Sequence, residues 1–118
     1  MEKLVRDKIP EIVSKEEKSP PFYRVAAEFE RWYFLKAKLL EEVKEFLSAD
    51  QPMEELVDVI EVVEALKVYL EKATPGLVEQ KRLAKAEKKG SFNSWYVMYF
   101  PGAAEVEPER VKPVSQRP

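Results

Sequence analysis

The chain has 118 residues, enough for one domain with a modest core, and its 20 Lys and Arg against 22 Asp and Glu leave a net charge of −2. That balance argues against a general affinity for nucleic acid, which calls for a clearly basic surface. With no cysteine and no histidine, disulfides, thiolate and imidazole zinc sites, the Glu-x-x-His ligation of di-iron bundles and Ser-His-Asp catalysis are excluded together. Acid and base work therefore falls to Asp, Glu, Lys or Tyr. No apolar run approaches the roughly 18–20 residues of a membrane span, and the N-terminus carries charges where a signal peptide needs an apolar stretch. The expectation is a cytoplasmic protein with no membrane partner.

Leu4-Val5 leads into Arg6-Asp7-Lys8-Ile9-Pro10, an extended entry, because the residue before proline is pushed away from helical geometry. Pro10 then suits the first turn of a short helix to about Lys18. Arg6 and Lys8 are placed to meet phosphate, although spacing alone favours a solvated basic end beside Asp7. Ser19-Pro20-Pro21 breaks the chain.

A second helix is expected from about Ala26 to Leu47, with Phe29, Trp32, Tyr33, Leu35, Leu39, Leu40, Val43, Phe46 and Leu47 covering a wide apolar face. Glu42 lies on the line of Leu35, Leu39 and Phe46. A carboxylate on an apolar stripe needs a cation, since burying it unpaired costs several kcal/mol or more. In Ser48-Ala49-Asp50-Gln51-Pro52, Asp50 can cap a helix start and Pro52 is tolerated only in a first turn, so the chain is expected to reverse there. A third helix follows from about Met53 to Lys72. It is apolar at more positions than one stripe uses, which places it centrally or at an interface.

The two helices make an antiparallel hairpin. Glu42 and Glu45 on one arm, and Glu55 and Asp58 on the other, are each three residues apart and share a helix face. Folding back about position 50 sets Glu45 opposite Glu55 and Glu42 opposite Asp58. The two levels lie about 4.5 Å apart along the axis and packed helices roughly 8–10 Å apart, so all four carboxylates can reach one hard cation. The usual helical partners are also missing: Glu45, Glu55, Asp58 and Glu61 have no Lys or Arg three or four residues away, and Glu42 has only Lys38. The plainer alternative is a merely acidic face.

Thr74 can cap a fourth helix from Pro75 to about Lys89, strongly basic through Lys81, Arg82, Lys85, Lys88 and Lys89. Such a helix is either simply solvated or what a triphosphate beside an acidic metal cage requires. The β-forming residues Trp95 to Phe100 suggest a strand or ribbon. The proline-rich tail from Pro101 has no periodic apolar pattern and reads as loop or disorder. The expected architecture is an all-α helical bundle built on the hairpin, with a short C-terminal strand or ribbon, oligomeric, a single domain over residues 1–100 and a tail over 101–118.

EEVKEF at Glu41 to Phe46 followed by EELVD at Glu54 to Asp58 resembles the Glu-x-x-Glu and Glu-x-x-Asp signature of the MazG-like all-α nucleoside triphosphate pyrophosphohydrolases. KLVRDKIPEIV at Lys3 to Val13 and KKGSF at Lys88 to Phe92 resemble the ends of the phosphoribosyl-ATP pyrophosphohydrolase-like branch of that superfamily. The resemblance implies a self-associating all-α fold, a dimer or tetramer, with Mg²⁺ on Glu42, Glu45, Glu55 and Asp58. It also implies cleavage of a nucleotide between its α and β phosphates. By the same resemblance Arg6 and Lys8, with Lys88 or Lys89, become plausible phosphate contacts.

Octahedral Mg²⁺, or Mn²⁺ in its place, suits carboxylate oxygens, waters and phosphates. A carboxylate of the cluster, Glu45 or Glu61, would take the proton of the attacking water, and crowding should raise one carboxyl pKa toward neutrality. House-cleaning hydrolysis of non-standard or excess nucleotides is the leading expectation. The histidine-pathway reaction on phosphoribosyl-ATP and a non-catalytic helical oligomerisation or partner-binding module are the alternatives.

Overall fold

The computed structural model describes residues 1–18 and 21–102. They form four α-helices, α1 (Ile9–Glu17), α2 (Arg31–Ser48), α3 (Pro52–Leu70) and α4 (Leu77–Lys89), with one 3₁₀ turn at Glu28–Glu30 before α2. No strand occurs among the described residues, so the protein is all-α. The chain divides into two compact units, Met1–Val62 and Val63–Pro118. No described helix is long and apolar enough to cross a membrane.

In the first unit, Pro10 stands in the first turn of α1, where its missing N–H costs nothing. Lys18 ends the helix in the left-handed region, at φ 56°. Ser19 and Pro20, part of the expected chain break, lie outside the described residues. The 3₁₀ turn is fixed by Arg24 and Glu30. The Glu30 carboxylate accepts from the Ala27 N–H at 2.7 Å and from Arg24 Nη2 at 3.0 Å, and Arg24 Nε also donates to Glu2 Oε2 at 2.8 Å. This one guanidinium thus fastens the N-terminus to the entry of α2.

The expected second helix therefore starts later than its apolar pattern suggests, at Arg31, because Ala27 is extended (ψ 152°) and the next three residues take the tighter 3₁₀ form. α2 ends where Ala49 turns extended (ψ 142°), with Ser48 Oγ donating to the Lys44 carbonyl at 3.0 Å. Pro52 then opens α3, with Glu54 and Glu55 in its first turn, where the helix dipole favours acids.

Burial is sparing. Leu35 and Val62 are the buried apolar residues among those described, and Glu42 is the buried charged one. Much of the wide apolar face expected on α2 stays open, with Tyr33, Leu40 and Leu47 exposed. On α3, Leu56, Val57, Ile60, Val63, Val68 and Leu70 are exposed as well, in keeping with a helix more apolar than one stripe can use.

In the second unit, α4 is not capped by Thr74. It begins after Gly76, whose φ of 83° suits glycine, and the carboxylate of Glu71 accepts from the N–H groups of Gly76 (3.1 Å) and Val78 (2.7 Å). An acid therefore meets the free N–H groups and positive dipole end of the helix.

Residues 91–100 correct the expectation of a strand or ribbon. A ladder needs a second strand, none exists among the described residues, and Trp95 adopts φ 59°, outside the β region. Phe92 and Trp95 to Phe100 are all exposed. The proline-rich tail, beyond Pro101 and Gly102, lies outside the described residues.

The Arg24 junction has a measurable signature. The hydrogen bond from Arg24, helped by the Ala27 N–H, holds the Glu30 carboxyl down from 4.5 to about 2. Because the folded value is depressed, its stabilisation is present above pH 4.5 and lost as the pH falls through about 2. NMR titration should place Glu30 near that value in the wild type and higher, toward the ordinary carboxylate range, in Arg24→Gln, where the Ala27 N–H remains. An unchanged Glu30 titration in the variant would show that Arg24 does not hold it.

Candidate metal centre

The acids singled out by spacing occupy the second half of α2 and the first half of α3, all within the first unit. One carboxylate oxygen from each of Glu42, Glu55 and Asp58 lies within 4.8 Å of the others. A second group, Glu41, Glu42 and Glu45, meets the same criterion. The four predicted ligands thus come together as two overlapping sets that share Glu42, rather than as one four-acid set. Glu41 is the member that the three-residue spacing did not single out. Its signal lies instead in Lys38, which is three residues before it and four before Glu42.

Glu42 is the central residue. It is 7% exposed, carried inward because its position on α2 continues the stripe of Leu35 and Leu39. Its Oε1 is 3.2 Å from Lys38 Nζ one turn earlier, and Lys38 also reaches Glu41 Oε1 at 3.2 Å. Glu42 Oε2 is buried with no hydrogen-bond partner, and so is Glu55 Oε2. Unsatisfied buried carboxylate oxygens are costly, and two of them on acids of one cluster match the donor set of a hard, oxygen-seeking cation.

Glu45 is the acid whose titration responds to the crowding. The negative charge of Glu42 raises its carboxyl above the ordinary range, with desolvation and the charges of Glu55 and Glu41 adding to the effect. That direction agrees with the expectation that crowding raises one carboxyl of the cluster. Glu61, the other candidate base, is exposed and belongs to neither acid group.

The predicted cations are distributed differently. Arg6 Nη2 lies 2.8 Å from Asp58 Oδ1, so Asp58, which has no cation at helical spacing, finds one 52 residues away in sequence. Lys8 is exposed just ahead of α1 and forms no ion pair among the described residues. Lys81, Arg82, Lys85, Lys88 and Lys89 are exposed on α4 in the second unit, where Arg82 Nε donates to both oxygens of Glu79 at 3.0 Å.

These contacts fix the response of the cluster to loss of charge. Glu42→Gln keeps the shape, removes one of several crowded negative charges and leaves Lys38 its Glu41 partner. Its metal-free melting temperature should equal or exceed that of the wild type, while the rise produced by excess Mg²⁺ or Mn²⁺ disappears. A clear drop in chelator, on the order of 1 kcal/mol or more, with the metal response intact would make Glu42 a structural ion-pair partner of Lys38.

Comparison with known proteins finds no matching family model, no matching curated relative and no matching solved structure, so the functional reading rests on the residues themselves.

Proposed function

We propose that the chain is a Mg²⁺-dependent nucleotide pyrophosphohydrolase that cleaves between the α and β phosphates, giving a nucleoside monophosphate and pyrophosphate. The observation that carries the reading is the buried Glu42 carboxylate, which has one unpaired oxygen and an oxygen within 4.8 Å of those of Glu55 and Asp58. The likeness of EEVKEF and EELVD to the MazG-like signature supports the same reading.

In this scheme Glu42, Glu55 and Asp58 hold the cation. The burial of Glu42 keeps its carboxylate ordered, and Lys38 prevents Glu42 and Glu41 from repelling each other apart. Bound there, Mg²⁺ supplies positive charge against the phosphate oxygens and acidity for a neighbouring water. Glu45 is exposed beside the cluster, with its carboxyl raised by Glu42, and takes the proton of the attacking water. A base whose pKa is drawn toward the working pH is better matched to that transfer.

The exposed apolar residues of α3 support self-association, because Leu56, Val57, Ile60 and Val63 together leave open a face that a second copy of the chain would cover. The purified protein should scatter light as a dimer or larger at micromolar concentration. A monomer under those conditions would remove self-association from the scheme without touching the metal site.

Activity is tested with a panel of canonical and non-standard nucleoside triphosphates and phosphoribosyl-ATP, assayed for pyrophosphate and orthophosphate separately. Mg²⁺-dependent release of pyrophosphate alone is expected, lost in chelator, with Glu45→Gln slower by about 10²–10⁴-fold. Release of orthophosphate alone, or of nothing across the panel, would leave the acid cluster without this chemistry.

A further inference from the structure

The N-terminal segment ahead of α1 is held down by its charges. Glu2 is gripped by Arg24, Lys3 Nζ lies 3.4 Å from Glu41 Oε1, and Arg6 Nη2 lies 2.8 Å from Asp58 Oδ1. Two of these three contacts land on the acidic groups. Asp58 is itself one of the three residues whose oxygens converge within 4.8 Å. A positively charged side chain of the protein thus sits on a carboxylate that a bound cation would use.

We propose that Arg6 is a built-in counter-ion that competes with the divalent cation for Asp58, so that cation entry releases the N-terminal segment from α3. The inference rests on the divalent-cation reading of the cluster and adds to it a residue that tunes affinity and couples the site to a chain terminus.

Charge and placement both lead to competition rather than cooperation. A guanidinium stays protonated at every accessible pH and has no lone pair to offer a metal. A divalent cation coordinated at roughly 2.0–2.6 Å by the Asp58 carboxylate would stand close to the Arg6 charge, with like sign. The Arg6 and Asp58 side chains are 50% and 39% exposed, so either can exchange its partner for water. Arg6 also precedes α1, and its side chain can swing away without breaking a helix. Lys38 differs: it stands within α2, 17% exposed, bonded to both Glu41 and Glu42. It remains in place as permanent compensation while Arg6 is the exchangeable one. The internal cations do not complete the charge balance, because Glu42 Oε2 and Glu55 Oε2 stay buried and unpaired. The cluster therefore retains a demand for positive charge that Arg6 does not meet.

The experiment is a calorimetric titration of the full chain with Mn²⁺ at fixed ionic strength, comparing wild type, Arg6→Ala, Arg6→Gln and Lys15→Ala. Lys15 pairs with Glu11 on α1 and belongs to neither acid group, so its variant controls for net charge. Both Arg6 variants should bind Mn²⁺ about two- to fivefold more tightly than wild type, the range set by the strength of a half-exposed ion pair, and Lys15→Ala should bind as wild type does. In the wild type, saturating Mn²⁺ should also speed trypsin cleavage after Lys3, Arg6 and Lys8. Binding by the wild type with equal or weaker affinity in both Arg6 variants, or with unchanged cleavage, would overturn the counter-ion role and leave the cation site standing. Failure of the wild type to bind Mn²⁺ would overturn the cation site itself and the counter-ion role with it.

Discussion

A carboxylate placed where α2 would otherwise bury a leucine sets the terms for the first unit. Glu42 is in the interior because the helical repeat puts it there, and once inside it must be compensated. Lys38 satisfies one oxygen from the preceding turn. The other oxygen is left buried without a partner, and Glu55 and Asp58, which bring oxygens within 4.8 Å of the Glu42 carboxylate, add negative charge where positive charge is wanted. Burial removes water as a partner, so such an arrangement is unfavourable in proportion to how well the helices pack around it. Such a residue choice works against stability, with its cost concentrated at converging oxygens that could hold a metal ion.

The surrounding cations act on that imbalance at different depths. Lys38 is nearly buried, divides itself between Glu41 and Glu42, and so neutralises the α2 side of the cluster at close range. Arg6 approaches from the N-terminal segment at the half-exposed end and reaches only Asp58. A surface pair of that kind is worth about 0.2–1 kcal/mol, too little to offset the crowding of Glu42, Glu45, Glu55 and Asp58. The raised Glu45 carboxyl reports the same residue of uncompensated charge.

Four helices and the two acidic pairs are legible in the amino-acid order because helical periodicity is a local property. Apolar stripes, Pro10, Pro52 and Pro75 mark helix starts within a few residues, and three-residue spacing puts Glu42 with Glu45 and Glu55 with Asp58 on shared faces. What the order does not display is any contact made across the fold. Asp58 lacks a cation at helical spacing, yet Arg6 reaches it from the far end of the first unit. Glu71 caps α4, a task that spacing gives to Thr74, because a long acidic side chain at the end of one helix can reach the first N–H groups of the next. Glu41 escapes notice because its partner Lys38 makes it look like an ordinary solvated pair. The segment from 91 to 100 has the composition of a strand, but strand formation is a property of two segments, and composition describes one.

Stability in such a chain cannot come chiefly from its interior. Leu35 and Val62 are the buried apolar residues among those described, and each fully buried side chain of that kind contributes about 1.5–3 kcal/mol. Helices of 9 and 13 residues such as α1 and α4 are marginal in isolation, since helix initiation is unfavourable and short segments add few bonds to offset it. Ion pairs at the surface add tenths of a kcal/mol each. Two features could add to this from outside the chain, the open apolar face of α3 and the acidic cluster at Glu42. A partner on α3 and a cation at Glu42 would each stabilise the folded state by mass action. If both occur, stability would depend on protein concentration and on divalent cation together.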